Sequence, residues 1–237
     1  MRESQKAIAI IPARKGSKRL LRKNIRILNG RPLIYWSVHA AIVSGCFDVV
    51  VVSTDDEDVV QLAQELGVEV AFRPAHLASD TASSIDVILH VLESYKEKGQ
   101  EFKHVMLLQP TSPLRSVTDI CLAFERMESV DAASVVSVCE VDHPPEWSNV
   151  LPGDGCLANF IRPDVLGKRS QDFPTQYRIN GAIYLADLHR CDIQKGFLGS
   201  QSYALVMPRE RSVDIDSEQD LLMADFLLTN HSTTFKV

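Results

Sequence analysis

The sequence lacks the patterns that mark several large classes of protein. Its five cysteines are scattered among 237 residues, and none forms a CxxC pair or lies near a histidine at zinc-finger spacing. This argues against a disulfide framework and a structural zinc site, and it fits a reducing compartment. No apolar run reaches the length of a membrane span, and the run over residues 7–11 is too short for a signal-peptide core. We therefore expect a cytoplasmic protein with no membrane partner.

An excess of charge of one sign is also lacking. The 25 basic and 31 acidic residues give a net charge of -6, which offers no general basis for binding nucleic acid. Hydrophobic residues make up 45% of the chain, an ordinary value for a globular protein. A chain of this length can bury a sizeable core as one large domain with a modest elaboration.

Short apolar runs alternate with helical patterns along most of the chain. Continuous rather than alternating apolar runs favour strands covered on both faces, here over residues 7–11, 49–52, 68–72 and 105–108. Helical patterns lie at residues 32–43, 56–66, 84–96 and 117–127, and Pro32 is placed in a first helical turn. This rhythm predicts an α/β fold with a mainly parallel sheet and right-handed crossovers.

The rhythm breaks after a strand predicted over residues 132–138. Residues 142–176 are rich in Pro, Gly and polar residues, and they include Trp147 and Phe160. A disordered loop is one explanation, but the scattered apolar residues favour a folded insertion. The α/β pattern returns with strands at 181–185 and 203–207, a helix at 217–228 and a frayed tail at 229–237. The chain thus divides into an α/β core (1–141), an insertion (142–176) and the remainder of the core (177–237).

Seven basic residues and no acidic one lie just after the first predicted strand: Arg14, Lys15, Lys18, Arg19, Arg22, Lys23 and Arg26. A solvated charged turn is the simplest explanation. The position favours another, because ligands of open α/β sheets bind at the carboxyl ends of strands. Gly16 permits a close backbone approach to an anion, and Arg and Lys donate charge-assisted hydrogen bonds to phosphate. The segment is neither GxGxxG nor GxxxxGK[ST], so the dehydrogenase and P-loop interpretations lose their main support.

Asp214 and Asp216 form an acidic pair near the end of the sequence. In an extended chain, residues two apart project to the same face. Two carboxylates on one face can hold Mg²⁺, which also accepts phosphate oxygens of a substrate. The alternative is that Asp216 or Ser217 caps the following helix, with Asp220 in its first turn. The two roles are compatible, and we favour metal binding.

Taken in order, the motifs resemble those of the CMP-sialic acid synthetases (N-acylneuraminate cytidylyltransferases). Each motif is weak alone, and the ordered set is specific to that family. The resemblance covers residues 7–228, and the motifs are IPARKGSKR (11–19), KN (23–24), STD (53–55), RP (73–74), SDTASS (79–84), LLQPTSPLR (107–115), YRINGAIY (177–184) and SVDID (212–216).

The resemblance implies a three-layer Rossmann-like nucleotidyltransferase fold, transfer of CMP from CTP to a sialic acid, and a role for each motif. It places the CTP triphosphate on Arg14, Lys23 and the backbone of Gly16 and Ser17, the ribose on Asn24, and cytosine on Arg73 and the segment from Ala82 to Ser84. It places the sugar on Gln109, Arg178, Asn180 and Tyr184, and Mg²⁺, which Mn²⁺ can replace, on Asp214 and Asp216. Structural alternatives remain for three of these residues: Gln109 as a strand cap, Arg178 in a surface ion pair, Tyr184 in the core.

The resemblance also implies a homodimer in which the insertion reaches the sugar site of a second subunit. Lys168 or Arg169 would then approach the sugar carboxylate, but Ser170 stands where many relatives have a second basic residue. Leu20-Leu21 replaces a Leu-Pro or Ile-Pro pair, so the loop is expected to be less rigid. Two other functions stay open: a cytidylyltransferase for legionaminic, pseudaminic or Kdo-type sugars, and a non-catalytic nucleotide-binding module. No residue stands out as a general base.

Overall fold

The computed structural model describes residues 6–17, 19–79 and 81–230. Lys18 of the basic segment, Asp80 of the SDTASS motif and residues 231–237 of the predicted frayed tail lie outside this range. The described strands are β1 (Ala7–Pro12), β2 (Ile27–Leu28), β3 (Arg31–Pro32), β4 (Val49–Thr54), β5 (Glu69–Phe72), β6 (His104–Leu107), β7 (Ser134–Glu140), β8 (Tyr177–Asp187) and β9 (Ser202–Val206). The described α-helices are α1 (Leu33–Ser44), α2 (Glu57–Glu65), α3 (Ser84–Lys96), α4 (Val117–Ser129) and α5 (Glu218–Asn230).

Seven of these strands form one sheet in the order β5-β4-β1-β6-β8-β7-β9. Strand β1 pairs in parallel with β4 and β6, and β4 pairs in parallel with β5. Strand β8 runs antiparallel to both of its neighbours, β6 and β7, while β9 is parallel to β7. The prediction of an α/β fold with a mainly parallel sheet is confirmed.

The central strand β1 shows why the apolar runs are continuous. Ile8 and Ile10 pack on one face of the sheet, Ala9 and Ile11 pack on the other, and all four are 0% exposed. Helices α1, α2 and α4 cover the face of Ala9, and α3 covers the face of Ile8. Burial of each large side chain contributes about 1.5–3 kcal/mol, so both helical layers are strongly attached. The predicted three-layer arrangement is confirmed.

Some elements differ from the predicted ones. Strand β8 covers eleven residues rather than the predicted 181–185. A bulge opposite Val136–Val138 interrupts its two-residue period at Gly181, which hides the polar first half from a pattern search. Pro32 is not helical: its ψ of 145° places it before the first turn of α1, at the end of β3. The β2–β3 ribbon was missed because each strand is only two residues long.

The insertion, residues 142–176, is described throughout and contains turns instead of strands or α-helices. Its two 3-10 turns are Pro145–Trp147 and Ser170–Asp172. The rings of Trp147 and Phe173 meet edge to face at 6.0 Å, which gives the insertion a small packed centre. Several large apolar side chains stay exposed: Val150, Leu151, Leu157 and Leu166. The division of the chain into core and insertion stays a prediction.

None of the helices within the described part of the chain is long and apolar enough to cross a membrane.

Candidate active site

Four adjacent parallel strands end at the same edge of the sheet and carry polar residues there. Strand β1 leads into Arg14, β5 into Arg73 and β6 into Gln109. These side chains meet in one cleft of about 330 Å³, a volume that suits a small-molecule ligand. Most of the predicted site residues line it: Arg14, Gly16, Ser17, Lys23, Asn24, Arg73, Ala82, Ser84, Gln109, Asp214 and Asp216.

The basic loop after β1 is held in place through its backbone. The amide of Lys15 donates a 2.8 Å hydrogen bond to Asp55 Oδ1, and Asn24 Nδ2 donates one of 3.0 Å to the carbonyl of Arg14. Asn24, predicted to contact a ribose, therefore also shapes the loop. A Cβ added to Gly16 would meet no atom within 4 Å, so the space in front of this glycine is open to a ligand. Gly16 has no positive φ, so the backbone itself does not require glycine here.

The acidic pair lies against this basic loop, although the two segments are far apart in sequence. Lys23 Nζ donates to Asp216 Oδ1 at 3.1 Å and to the carbonyl of Ile215 at 2.9 Å. Arg19 Nη1 donates to Asp216 Oδ2 at 2.7 Å. The structure thus brings opposite charges together at the mouth of the cleft, as a site for a metal and phosphates requires.

The helix cap near the acidic pair is Ser217, not Asp216. Ser217 Oγ accepts a hydrogen bond from the Asp220 amide at 3.4 Å, and Asp220 Oδ2 accepts one from the Ser217 amide at 2.8 Å. This reciprocal pattern begins α5. The carboxylate of Asp216 consequently stays directed toward Lys23 and Arg19, because it is not needed to satisfy the helix end.

Asp214 lies in an environment that disfavours its negative charge. Desolvation by the surrounding protein raises the pKa of this carboxyl, and because the residue is exposed at its outer side, solvent limits the size of this shift. The nearby charge of Asp216 also raises the pKa, while a hydrogen bond with the Thr111 side chain and the charge of Lys23 act in the opposite direction. A cation beside Asp214 would relieve this cost.

The donor set fits Mg²⁺. Asp214 and Asp216 line the same cleft, and the described part of the chain contains no group of three His, Cys, Asp or Glu residues that could hold a metal by protein ligands alone. Mg²⁺ is typically bound by one or two carboxylates, with water and substrate phosphates completing its coordination. Two carboxylates beside a basic loop therefore suit Mg²⁺ better than a closed structural metal site.

Buried Arg73 and the more exposed start of α3 form another part of the cleft lining. Arg73 is 4% exposed, and its Nη2 donates a 2.9 Å hydrogen bond to the carbonyl of Ser53. Burial lowers the pKa of Arg73. The N-terminus of α3 adjoins it, with Ser83 as the cap and Ala82 and Ser84 beside the opening. Amide groups at a helix start are donors without an intrahelical partner, so this wall can recognise acceptor atoms of a ligand.

Gln109 is placed at the cleft by its neighbours. The guanidinium of Arg115 donates from Nη2 to the Gln109 carbonyl at 2.8 Å and from Nε to the carbonyl of Ala182 at 2.7 Å. Burial lowers the pKa of Arg115 to about 10. Gly181 has a φ of +78°, and a Cβ there would lie 2.7 Å from Gln109 Oε1. The side chain of Gln109 therefore depends on a glycine at position 181.

The structure buries the side chain of Asn180, and its contact with the sugar stays a prediction. Its side chain is 1% exposed, Nδ2 donates to Ser212 Oγ at 2.8 Å, and Oδ1 accepts from Ser137 Oγ at 2.6 Å. Oδ1 also accepts from the amide of Ala182 at 3.2 Å. Because both ends of its side-chain amide bond to the protein interior, Asn180 is not among the residues that line the cleft.

The remaining predicted sugar residues lie outside the cleft lining. Arg178 is exposed and donates a 3.3 Å hydrogen bond to the carbonyl of Ser212. Tyr184 is half-buried, its ring lies 5.3 Å from that of Phe197, and burial followed by the charge of Asp214 raises its pKa. Arg169 is exposed and pairs with Asp172 at 3.1 Å. Within one chain, Arg169 is therefore not brought to the cleft.

Comparison with known protein families identifies the family of this chain. A family model described as cytidylyltransferase matches residues 8–190, which is more than half of the chain. The chain belongs to the cytidylyltransferase family. The matched range includes the basic loop and Gln109, and it ends before Asp214 and Asp216.

The names of the relatives of this chain refer to more than one sugar. The N-acylneuraminate cytidylyltransferase of Streptococcus agalactiae serotype V is 39% identical over 219 residues, 92% of this chain and 52% of the relative. The CMP-N,N'-diacetyllegionaminic acid synthase of Legionella pneumophila is 34% identical over 229 residues, 93% of this chain and 95% of the relative. The pseudaminic acid cytidylyltransferase of Campylobacter jejuni is 34% identical over 233 residues, 97% and 100% of the two chains. The chain thus spans about half of the first relative and nearly all of the other two.

A solved structure confirms the fold of this chain. The structure is that of a CMP:2-keto-3-deoxy-manno-octonic acid synthetase complexed with CTP. It matches with a TM-score of 0.68 at 18% identity, and covers 95% of this chain and 99% of the other. At that identity, the likeness supports the fold alone.

No role is predicted from the sequence for Thr111, which lines the cleft and hydrogen-bonds to Asp214. Its carbonyl also accepts a 2.8 Å hydrogen bond from the amide of Ile215. Its position two residues after Gln109, in the loop at the carboxyl end of β6, could have indicated a place in the cleft. It is the direct contact between the β6 loop and the acidic pair.

Proposed function

We propose that this chain transfers CMP from CTP to the anomeric hydroxyl of a nine-carbon acidic keto-sugar, a sialic acid such as N-acetylneuraminate, and releases pyrophosphate. The observation that carries the proposal is the meeting of the basic loop with Asp214 and Asp216 at one cleft of a cytidylyltransferase-family fold. The 39% identity to an N-acylneuraminate cytidylyltransferase supports the choice of sugar.

In this proposal the nucleotide occupies the cleft from the basic loop to α3. Arg14, Lys23 and the backbone of Gly16 and Ser17 bind the triphosphate, while Asn24 lies beside the ribose. Arg73 and the amides at Ala82 and Ser84 recognise the cytosine edge. Support comes from the rigid seating of Arg73 on Ser53, since a fixed donor discriminates between bases more strongly than a mobile one.

The proposed reaction is an in-line displacement at the α-phosphorus of CTP. The anomeric oxygen of the sugar forms the new P–O bond, the bond between the α-phosphorus and the bridging oxygen breaks, and the hydroxyl proton passes to solvent. Arg14 and Lys23 neutralise the charge that builds on the leaving pyrophosphate, so catalysis rests on positioning and electrostatics. Asp214 and Asp216 would hold Mg²⁺ or Mn²⁺, which supplies positive charge next to the α-phosphate.

The sugar is proposed to lie between Gln109, Tyr184 and Arg178, and the second subunit of a homodimer completes this site. The exposed apolar residues of the insertion favour such an assembly, because they have no covering surface within one chain. A two-fold contact would let Arg169 reach the partner's cleft. Replacement of residues 144–163 by a short Gly-Ser linker should abolish both dimerisation and sugar affinity. A monomer of 26.4 kDa with full activity at micromolar concentration would exclude the dimer.

A different acidic keto-sugar is the main alternative. The legionaminic and pseudaminic acid relatives match this chain over nearly their whole length, which the sialic acid relative does not. The residues that separate these sugars lie at the sugar site, whereas the recognised motifs lie mostly at the nucleotide.

The test is pyrophosphate release with purified protein, four nucleoside triphosphates and a panel of sialic, legionaminic, pseudaminic and Kdo-type acids. Turnover with CTP should far exceed that with UTP, ATP or GTP, because unmatched hydrogen-bonding groups penalise the wrong base. Turnover only with another member of the panel would reassign the sugar. CTP binding without turnover on any sugar would favour a non-catalytic nucleotide-binding module.

A further inference from the structure

The acidic pair lies on a segment that belongs to no strand or helix. Residues 212–217 follow the 3-10 turn Arg209–Arg211 and precede α5, and they take part in neither a sheet ladder nor a helix. A metal site works only when its carboxylates are held in a fixed arrangement. The segment must therefore be anchored by side chains and isolated hydrogen bonds.

A buried ion pair between Arg211 and Asp119 is one of these anchors. Arg211 donates from Nε to Asp119 Oδ2 and from Nη2 to Oδ1, and both distances are 2.9 Å. The side chains are 15% and 2% exposed, so water competes little for either partner. A bidentate Arg–carboxylate pair fixes orientation as well as distance.

Asp119 is itself rigidly seated. Its Oδ2 accepts hydrogen bonds from the amide and the hydroxyl of Ser116, at 2.9 and 2.8 Å, within the capping box that begins α4. Helix α4 packs into the main core through Ile120 and Ala123. The guanidinium of Arg211 is therefore tied to the core of the domain through a buried carboxylate.

Further contacts also hold the segment beyond Arg211, among them the pairing of Asp216 with Lys23 and Arg19. Ser212 Oγ accepts from Asn180 Nδ2 and donates to the carbonyl of Pro208 at 2.7 Å. The amide of Ile215 donates to Thr111. The Arg211–Asp119 pair is more buried than the ion pairs that Asp216 makes with Lys23 and Arg19, because the side chain of Asp216 is 43% exposed. Arg211 does not line the cleft, so its effect on the reaction is expected to pass through the carboxylates that follow it.

We propose that Arg211, held by Asp119, is a positioning residue that orients Asp214 and Asp216 for the metal. The inference rests on the proposed function, because it takes these two carboxylates as the metal ligands. Loss of the pair should weaken metal binding about 10-fold or more, the usual cost of removing a group that orients a ligand.

The test compares Arg211→Lys with Arg190→Lys. Lysine keeps the positive charge but cannot form the bidentate contact that the guanidinium makes with a carboxylate. Arg190 forms a similar pair with Asp131, with Nη1 to Oδ1 at 2.6 Å and Nη2 to Oδ2 at 3.2 Å, at the opposite edge of the sheet. Mn²⁺ binding is measured by electron paramagnetic resonance with CTP present and no sugar. Arg211→Lys should raise the Mn²⁺ dissociation constant about 10-fold, and Arg190→Lys should leave it unchanged.

A second measurement separates positioning from general destabilisation. Asp119→Asn, Arg211→Lys and the double variant should show nearly equal losses of Mn²⁺ affinity, since removing either partner breaks the same contact. In steady-state assays the half-saturating Mg²⁺ concentration should rise, with KM for CTP little changed at saturating Mg²⁺. Unchanged Mn²⁺ binding in a folded Arg211→Lys protein would overturn the inference. Absence of Mn²⁺ binding in the unmodified protein would instead reject the metal site itself.

Discussion

The two edges of the parallel strands both carry dense charge, but they use it differently. At the amino-terminal edge, a hollow of about 1350 Å³ contains Asp187, which lies 3.7 Å from Lys103 and 3.9 Å from His104. In the same hollow Arg190 pairs with Asp131 at 2.6 Å. These charges are matched by neighbours within the protein, and they leave little for a ligand to complete.

The carboxyl-terminal edge has the smaller cleft, about 330 Å³, where Asp216 pairs with Lys23 and Arg19 beside Asp214. Desolvation and the charge of Asp216 raise the pKa of Asp214, and the basic loop faces open space at Gly16. The proposed function places the active site in the smaller cleft, so under this proposal the volume of a hollow does not identify the site. A carboxyl with a shifted pKa at the carboxyl ends of parallel strands is a better indicator of a functional site.

The largest effect should come from the carboxylates of the smaller cleft. Asp216→Asn should lower kcat by on the order of 10² or more, as expected for loss of a major electrostatic stabiliser. Asp131→Asn is the matched control, because it removes a paired carboxylate from the opposite edge. Pyrophosphate release at saturating CTP measures both variants. A near-normal rate for Asp216→Asn would mean that the carboxylates of the smaller cleft are no more important for turnover than those of the opposite edge.

The basic loop should give the next largest effect. Arg14→Ala should lower kcat/KM for CTP by on the order of 10-fold to 100-fold, because a charge-assisted hydrogen bond contributes about 1.5–3 kcal/mol. The melting temperature should change little, since partly exposed loop arginines add little to stability. Thermal unfolding and CTP kinetics on the same preparation check this. A large drop in melting temperature would instead make Arg14 a structural residue.

A smaller effect is expected from the contact between Gly181 and Gln109. Gly181→Ala should cost about 1–3 kcal/mol of unfolding free energy from its positive φ. It should also raise KM for the sugar, because the new Cβ would displace Gln109 Oε1. Gly99→Ala is the control, with a φ of +73° and no atom within 4 Å of the added Cβ. Denaturant unfolding and sugar kinetics measure both, and equal sugar KM values would remove the proposed role of Gln109.

The smallest effect is expected at the amino-terminal edge. Arg190→Gln should lower the unfolding free energy by about 1 kcal/mol or less, because its partner Asp131 has an 89% exposed side chain. CTP turnover should stay within experimental error. A marked loss of activity would show that the larger hollow takes part in function, and would reverse the comparison between the two edges.

Much of the fold could be predicted because its signals are local. The buried strands are continuous apolar runs, and Ser83 and Ser116 precede helices with an acid three residues later, a pattern that closes each cap. Strand β8 was cut short because Gly181 breaks its period, and the ribbon β2–β3 is too brief to show one. These failures arise where backbone geometry, not residue pattern, sets the element.

The sequence by itself determined which residues carry charge and that the basic loop follows a buried strand, since both are properties of adjacent residues. Only the tertiary structure decided that Lys23 meets Asp216 across 193 positions, and that Ser217 rather than Asp216 caps α5. It also buried Asn180, which its motif had placed at the sugar. Strand order and packing bring these groups together, and neither can be read from residues close in sequence.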